Sequence, residues 1–322
     1  MELNKPILSI CIPTYNRSVY LEKSIKSIIK TDEFKNGKIE IVISDNCSTD
    51  NTEEMTNNYT SKYKNIKYYK NEKNVKDLNF AIALERGSGI FRKLSNDTII
   101  YIDDSLKYMI DTIENNIHKK PVIFFVNEEK KYDGIIQYND LDSVIKHLGR
   151  NITWLPVIGM WDEDIDLLNF MREYSKTQLS QVVLAFELFL KHKMALIVNK
   201  ELMKVQSVDK KNLSYSLYNV FYKNYLCIVN EYLEKKKVLL STYEYLKKEL
   251  LFEFFLNWII IIELNSNDYL TYEEDLKKLV ENEYKEEIYF NKYKKEYKKR
   301  YTKYYVKKQI KRFFSNVRYE NK

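Results

Sequence analysis

The 322-residue sequence is short of glycine, proline and cysteine. Six glycines and four prolines exclude a collagen-like repeat and a low-complexity chain. The three cysteines lie far apart, with no CxxC pair and no histidine nearby at the spacing of metal ligands, so neither a disulfide scaffold nor a zinc module is expected. With 44% hydrophobic and 31% charged residues, the chain has enough apolar material for a core, and wholesale disorder is excluded.

Glycine and proline are also unevenly placed, since neither occurs after Gly159. Turns that need a positive or a fixed φ are therefore concentrated in the first half, and the second half is free to form long helices. In the first half, apolar and alternating runs predict strands, and helical spacing appears between them. The predicted strands are 7–12, 38–44, 66–70, 121–126 and 194–198, and the predicted helices include 20–29, 78–84 and 178–190.

Strands that alternate with helices predict an α/β fold, with a mainly parallel sheet flanked by helices. Ligands bind such sheets at the carboxyl ends of the strands. The polar turns that follow the first two predicted strands are 13–17 (PTYNR) and 45–50 (DNCSTD). These two turns are therefore the first place to expect chemistry.

Long hydrophobic runs are also lacking. The longest, 250–264, contains two glutamates and an asparagine. It is shorter than the roughly 20 apolar residues of a membrane-spanning helix, so it predicts a buried or interfacial helix. The N-terminal residues lack the long apolar stretch and the cleavage site of a signal peptide. These features predict a cytoplasmic protein.

The net charge of +7 is concentrated at one end. Residues 290–322 carry 13 Lys and Arg and 2 Glu, which leaves 40 basic and 44 acidic residues in the remainder. This tail has aromatic or apolar residues at helical steps, namely Tyr293, Tyr297, Tyr301, Val306, Ile310, Phe313 and Val317. Three interpretations stay open: a helix in the headgroup region of a membrane, an oligomerisation helix that docks on the acidic segment 273–287, or nucleic-acid binding, for which no motif is present.

Three stretches, in this order, resemble the family 2 glycosyltransferases, and especially the branch that builds bacterial surface polysaccharides. They are 8–29 (LSICIPTYNRSVYLEKSIKSII), 39–54 (IEIVISDNCSTDNTEE) and 74–97 (NVKDLNFAIALERGSGIFRKLSND). The resemblance covers residues 5–115 well, 116–200 weakly and 201–322 hardly at all. It implies a GT-A (Rossmann-like) fold and a nucleoside-diphosphate sugar as donor substrate.

The resemblance also implies which residues bind the donor. Tyr15 would stack on the base, and Asp45 or Asn46 would read the base edge or the ribose. The residues expected to bind nucleotide sugar are Pro13, Thr14, Tyr15, Asn16, Asp45, Asn46, Asn79, Arg92, Asn96 and Asp97. The alternatives are that Tyr15 is a partly buried turn aromatic and that Asp45 and Asn46 are turn or helix caps.

The resemblance also implies a divalent cation, Mg²⁺ or Mn²⁺, at a site that is weaker than in relatives. Relatives carry an Asp-any-Asp element after the fourth strand, and this chain has Asn96-Asp97-Thr98 instead. Asp97 and Thr98 are then the candidate ligands, and a helix cap for 103–113 is the alternative. Arg92 and Lys93 lie in a strand where relatives are mostly apolar. A side chain there either neutralises diphosphate or extends outward to solvent.

An inverting transferase also needs a carboxylate that takes the proton of the acceptor hydroxyl. Relatives often place it at the start of the helix before the last strand, where this chain has Ser180 and Gln181, and neither side chain is a base. Asp162 and Asp164, after the Gly159 turn, are the candidate bases, with an exposed acidic turn as the alternative.

Other site classes find no support. His118, His147 and His192 have no partner that suggests a triad or a metal site. Neither a GxxxxGK[ST] nor a GxGxxG motif occurs, which excludes P-loop and Rossmann dinucleotide sites. A nucleotidyltransferase would usually have a Gly-rich basic loop after the first strand, and PTYNR is not one.

The sequence thus predicts a GT-A domain over 1–200, a helical region over 201–289 and a basic aromatic tail over 290–322. Within the GT-A domain, 1–115 would bind the nucleotide sugar and 116–200 the acceptor. The expected activity is glycosyl transfer with inversion. The donor expected first is a UDP-sugar, and the expected acceptor is a glycan that is linked to a lipid. The protein would take part in capsule or lipopolysaccharide synthesis at the inner face of the plasma membrane. Nucleic acid is not an expected partner, and whether the protein forms an oligomer stays open. The alternative is a catalytically degenerate nucleotide-sugar-binding or scaffold protein.

Overall fold

The computed structural model describes residues 5–127, 134–208, 215–265 and 275–320, with the backbone alone for 311–320. The chain divides into two compact units. Unit 1 comprises Met1–Ser207 and Lys235–Val238, and unit 2 comprises Val208–Glu234 and Leu239–Lys322.

Unit 1 has the alternation of strands and helices that the sequence predicts. Its described strands are β1 (Leu8–Thr14), β2 (Ile39–Asp45), β3 (Ile66–Lys70), β4 (Phe91–Leu94), β5 (Ile99–Tyr101), β6 (Val122–Phe125), β7 (Gly134–Tyr138), β8 (Gly159–Trp161), β9 (Ala195–Asn199) and β10 (Met203–Val205). Its α-helices are α1 (Ser18–Ile29), α2 (Asp32–Lys35), α3 (Thr52–Thr60), α4 (Leu78–Glu85), α5 (Ser105–Glu114), α6 (Leu141–Leu148), α7 (Leu168–Glu173) and α8 (Ser180–His192). Short 3-10 turns cover Gly149–Thr153, Leu155–Val157, Asp162–Leu167 and Ser175–Thr177.

The main sheet has the strand order β3-β2-β1-β4-β8. The first four strands are parallel, and β8 runs antiparallel to β4. A second sheet has the order β6-β9-β7, with β6 and β9 parallel, and β5 pairs antiparallel with β10. The mainly parallel α/β fold is therefore confirmed. The strand predicted at 194–198 is also confirmed, but it is not the last, because β10 follows it.

The central strands are buried on both faces. Every residue of β2 is buried, although its alternation of apolar and polar residues is typical of a strand with one solvated face. The departure from this pattern is clearest at Glu40, whose charged side chain is only 3% exposed. Its carboxylate accepts hydrogen bonds from Ser9 Oγ at 2.5 Å, from Ser88 N at 2.5 Å and from Gly89 N at 3.1 Å. Glu40 thus ties β1, β2 and the turn before β4 together inside the core.

The strand β4 places its two basic residues differently. Lys93 is fully buried, and its Nζ donates to the backbone oxygens of Leu94 and Pro156. Burial lowers the pKa of Lys93 to about 7, against a smaller opposing effect of Cys11. Lys93 is thus the one of the two basic residues that points to the buried face of the sheet, rather than extending to solvent.

Unit 2 is helical in its described parts. Its helices are α9 (Tyr225–Glu234), α10 (Leu240–Glu249), α11 (Leu256–Leu264), α12 (Leu276–Tyr284) and α13 (Phe290–Glu320), with π-helical turns at Tyr218–Asn224 and Leu250–Phe255. The longest apolar run of the sequence lies in Leu250–Phe255 and α11, and it contributes seven buried side chains to the unit's core. Among the described residues, no helix is long and apolar enough to cross a membrane.

The basic tail forms α13, and its first turns pack within unit 2. Tyr293 is fully buried, Tyr297 donates to Glu263 at 2.5 Å, and Arg300 Nη2 lies 3.8 Å from Glu253. Farther along the helix, the large side chains are about half exposed, namely Tyr304, Tyr305, Val306 and Ile310. The predicted stripe therefore has two parts: Tyr293 is packed in the core of unit 2, whereas Val306 and Ile310 are half exposed. The side chains of Phe313 and Val317 lie outside the described residues.

Candidate functional site

The turns that follow β1, β2 and β4 meet at one edge of the main sheet. Thr14 and Asp45 are directly opposite each other in the parallel pair, and Asn46 N donates to Thr14 O at 2.9 Å. On the other side, Thr14 Oγ1 donates to Asp97 Oδ2 at 2.9 Å. Thr14 thus lies between two buried carboxylates that the sequence places 52 residues apart.

Asn16 fastens the first turn to the second. Its backbone is left-handed, with a φ of 53°, and its Oδ1 accepts from Thr49 N at 2.7 Å. Its own N–H donates to Ser48 Oγ at 2.9 Å. Beside it, Tyr15 is 44% exposed. Its ring is therefore accessible to a ligand at this edge, and the interpretation of Tyr15 as a partly buried turn aromatic stays open.

Asp45 is fully buried and shapes the second turn. Its Oδ1 accepts from the N–H of Ser48 at 2.9 Å and from its hydroxyl at 2.5 Å. Its Oδ2 accepts from Tyr68 OH at 2.6 Å. Burial, followed by the hydrogen bond to Asp45, raises the pKa of Tyr68, so the phenol stays a neutral donor. The turn-capping role is therefore present in Asp45.

The two asparagines of the predicted set hold the loop that leads into α4. Asn46 Nδ2 donates to Lys76 O at 3.1 Å, and its Oδ1 accepts from Val75 N at 2.8 Å. Asn79 is buried, and its Nδ2 donates to Ser44 O at 2.8 Å. Both side chains thus bind the protein's own backbone and position the edge.

Asp97 is 4% exposed, and its carboxylate accepts hydrogen bonds from two side chains. Besides Thr14, Arg17 Nη1 lies 3.3 Å from Asp97 Oδ1. Burial raises the pKa of Asp97, against the opposing effects of Arg17 and Thr14. The turn at 96–98 is followed by β5 rather than a helix, and α5 begins only at Ser105. Its interpretation as a helix cap is therefore wrong.

The residues at this turn do not fit a divalent cation held by the protein. Both oxygens of Asp97 already accept hydrogen bonds, its charge is paired with Arg17, and neither Asn96 nor Thr98 supplies a second carboxylate. Thr98 is buried, and its backbone oxygen accepts from Gln206 N at 2.9 Å. Within the described residues, no group of three His, Cys, Asp or Glu is arranged to bind a metal.

Arg92 is not brought to this edge. It pairs with Ser9, five residues before Thr14, which is about 16 Å along a strand. Its Nη1 donates to Leu84 O at 3.1 Å and to Glu85 O at 3.3 Å, at the end of α4. The expectation that Arg92 contacts the diphosphate fails for this reason.

Asp162 and Asp164 also lie at the opposite edge. The strand β8 ends beside the start of β4, where Asp162 N donates to Ile90 O at 2.9 Å. Asp162 is paired with Lys5 at 2.5 Å, and the buried Asp164 accepts from His192 and from Trp161 N. Neither carboxylate is placed to take the proton of an acceptor hydroxyl that attacks a donor bound near Tyr15.

The position where relatives carry the base is the start of α8. Gln181 Nε2 donates to Thr153 O at 2.6 Å, and its buried Oε1 has no partner among the residues that the structure describes. The helix ends at His192, which contacts Asp164, so Ser180 and Gln181 lie at the helix end away from that acidic cluster. Neither side chain accepts a proton at neutral pH.

Sequence reasoning missed Arg17 and Tyr68 as residues of the site, whereas Ser48 is a turn residue that the sequence itself indicates. Arg17 is the last residue of PTYNR, a turn that is expected to bind an anionic ligand. Its positive charge was therefore a signal in the sequence. Ser48 follows Asp45 at the spacing of an Asx turn. Tyr68 gave no signal, because a strand residue reveals its neighbour only once the pairing of β2 with β3 is known.

Comparison with known proteins agrees with this architecture. Residues 9–119 match the family model described as glycosyl transferase family 2. Abequosyltransferase RfbV of Salmonella typhimurium is 45% identical over 85 residues, which cover 26% of this chain and 25% of that protein. The GalNAc(5)-diNAcBac-PP-undecaprenol β-1,3-glucosyltransferase of Campylobacter jejuni is 37% identical over 101 residues, or 31% and 29% of the two chains. The chain thus spans less than a third of the length of either relative.

Among solved structures, S. aureus TarS 1–349 in complex with UDP-GlcNAc is similar, with a TM-score of 0.59 and 20% identity. The match covers 76% of this chain and 73% of that one. At this identity the likeness establishes the fold, which is GT-A. Residues 9–119, about a third of the chain, are thus similar to glycosyl transferase family 2.

Proposed function

We propose that the protein is a glycosyltransferase that takes a sugar from a nucleoside-diphosphate sugar and transfers it to a glycan in bacterial surface polysaccharide synthesis. The observation that carries the proposal is the meeting of Tyr15, Asp45 and Asp97 at one sheet edge of a family 2 domain. The names of the two relatives, both sugar transferases, agree with it.

The donor class follows from the shape of this edge. An exposed tyrosine ring beside a rigid polar turn suits a flat base and a ribose, and the turn at Asp97 suits the diphosphate. We expect a UDP-sugar first, because the TarS neighbour is described in complex with UDP-GlcNAc. Residues 1–115 would then supply the donor half and 116–200 the acceptor half.

The reaction is a single displacement with inversion. The acceptor hydroxyl oxygen forms a bond to the anomeric carbon while the bond from that carbon to the diphosphate oxygen breaks. The electron pair of the broken bond leaves with the nucleoside diphosphate, and the hydroxyl proton passes to a base or to water. The acceptor would be a lipid-linked glycan, as the undecaprenol diphosphate in the name of the C. jejuni relative suggests.

A donor panel tests this function. Incubation of the protein with UDP-, GDP-, CDP- and dTDP-sugars, with and without Mn²⁺, is expected to show slow hydrolysis of one donor. Tyr15→Ala is expected to weaken binding of the matching nucleotide by about 1–2 kcal/mol, roughly five- to thirtyfold in Kd, because the ring that stacks on the base is lost. Isothermal titration calorimetry measures the difference.

The matched control for Tyr15→Ala is Tyr245→Ala. Tyr245 is 45% exposed, almost as much as Tyr15, but lies on α10 in unit 2. Its removal is expected to leave nucleotide affinity unchanged. Equal affinities of wild type and Tyr15→Ala would remove the ring from the site.

A second candidate function is that of a catalytically degenerate protein that binds nucleotide sugar or scaffolds an assembly complex. The observation that favours it is Gln181, a neutral side chain at the position where relatives carry the base. Tight nucleotide binding without hydrolysis or transfer across the whole panel would favour this alternative over the transferase.

We also propose that the outer part of α13 lies on an anionic membrane surface. Half-exposed Val306 and Ile310 occupy one face of the helix, four residues apart, among lysines. The double change Val306→Ser and Ile310→Ser is expected to reduce cosedimentation with phosphatidylserine-containing vesicles at least severalfold. These side chains lie beyond the buried Tyr293, so folding should not change.

Leu240→Ser is the control for that experiment, since Leu240 is 61% exposed on another helix of unit 2. It is expected to sediment as wild type does. If the double variant does so as well, the exposed stripe is not a membrane surface, and a protein contact becomes the better interpretation.

A further inference from the structure

Arg17 is a basic side chain that the fold brings to Asp97, at the edge where the diphosphate is expected. It directly precedes α1, and its backbone oxygen accepts from Tyr20 N and Leu21 N at 3.0 Å, which fixes the start of the helix. Its side chain extends toward the end of β4 instead of capping α1. The contact between Arg17 and Asp97 joins residues 80 positions apart.

The ion pair between Arg17 and Asp97 is asymmetric. The Asp97 side chain is 6% exposed, whereas the Arg17 side chain is 50% exposed. The carboxylate is therefore inside the protein, and the guanidinium reaches the surface. A guanidinium has five N–H donors, and the contact with Asp97 is made by one nitrogen. The remaining donors keep the capacity to bind oxygens of a ligand.

The site needs positive charge at this point. When the donor is cleaved, negative charge grows on the diphosphate oxygen that leaves the anomeric carbon, and either a cation or fixed basic side chains must offset it. The residues around Asp97 do not fit a cation held by the protein, and Arg92 lies at the other edge. Planar guanidinium groups bind phosphate oxygens in a bidentate manner.

We propose that Arg17 binds the donor diphosphate and supplies the positive charge that a divalent cation would otherwise supply, with Asp97 and Thr14 as the residues that position it. This inference rests on the proposed function. Arg17 would stabilise the nucleoside diphosphate as the bond to the anomeric carbon breaks and its electron pair moves to the leaving oxygen. Asp97 acts through Arg17 and not through a metal.

The test compares UDP with uridine, which lacks the phosphates, in buffer that contains EDTA. Wild type is expected to bind UDP under these conditions. Arg17→Ala is expected to weaken UDP binding about 10- to 100-fold, as for a lost hydrogen bond to a charged group, while uridine affinity stays the same. Arg17→Lys, which keeps the charge but not the planar fork, should fall between the two.

Arg172→Ala is the matched control. Arg172 is also paired with a carboxylate, Glu85 at 2.7 Å, but at the end of α4 that lies near Arg92 rather than near Tyr15. It is expected to bind UDP as wild type does. Melting curves check that each variant is folded, which is expected because the Arg17 side chain is half exposed.

Two results would overturn the inference and leave the proposed function intact. One is equal UDP affinity of Arg17→Ala and wild type. The other is wild-type binding that disappears in EDTA and returns with Mn²⁺, which would assign the charge to a metal. If wild type binds neither UDP nor GDP, CDP or dTDP, the proposed function fails, and the inference fails with it.

Discussion

Replacement of Gly159 by alanine is expected to lower the free energy of unfolding by about 3 kcal/mol, because the added methyl group has no space. A Cβ at this position would lie 2.3 Å from Phe91 Cε1 and 2.9 Å from the backbone oxygen of Arg92. Phe91 cannot move away easily, since it is fully buried and packs edge-to-face on Trp161 at 5.0 Å. Chemical denaturation measures the loss.

Gly37→Ala is the control for this prediction. Gly37 has a φ of 76°, and a Cβ there would meet nothing within 4 Å. Its replacement introduces backbone strain of about 1 kcal/mol without a clash. A Gly159→Ala variant that loses no more stability than Gly37→Ala would mean that β8 shifts on β4 at little cost.

Replacement of Asp97 by asparagine is expected to lower donor hydrolysis about a hundredfold without loss of stability. Asparagine still accepts from the Thr14 hydroxyl but no longer attracts Arg17, so the guanidinium is not held at the edge. The burial that raises the pKa of Asp97 makes its charged form unfavourable in the folded protein. Above that pKa, the neutral amide removes this cost, and the melting temperature should be equal to or above that of wild type.

The comparison variant for Asp97→Asn is Asp103→Asn. Asp103 has a side chain that is 87% exposed and paired with Lys30, so its change should alter neither hydrolysis nor stability. Unchanged hydrolysis in Asp97→Asn would exclude Asp97 from the reaction. A large loss of stability in the same variant would instead assign Asp97 a structural role.

The sequence was sufficient to predict five strands of unit 1, their alternation with helices and the edge at which the first turns meet. Strand and helix periods are local properties, and parallel pairing follows from the βαβ alternation. The turns at Tyr15 and Asp45 could therefore be assigned to one edge before the strand order was known. The buried Glu40 could not be foreseen, because alternation in β2 predicts a solvated face, whereas the fold places Ser9, Ser88 and Gly89 around the carboxylate.

The failed site predictions have two physical reasons, which are strand direction for Asp162 and position along the strand for Arg92. Asp162 directly follows a strand, and in a parallel strand it would lie at the same edge as Tyr15. Because β8 runs antiparallel to β4, Asp162 lies at the opposite edge. Arg92 lies at the start of β4 and not at its end. Direction depends on contacts between distant segments, and no local pattern records it.

The left-handed turns at the donor edge have a consequence for how a ligand would arrive. Asn16 and Cys47 have φ values of 53° and 66°, conformations that are unfavourable without glycine and persist only where surrounding bonds impose them. Hydrogen bonds of Asn16 with Ser48 and Thr49 hold the first of these turns in place. A nucleotide would therefore meet a preformed surface, with little loss of loop entropy on complex formation, and recognition there depends on shape rather than on closure.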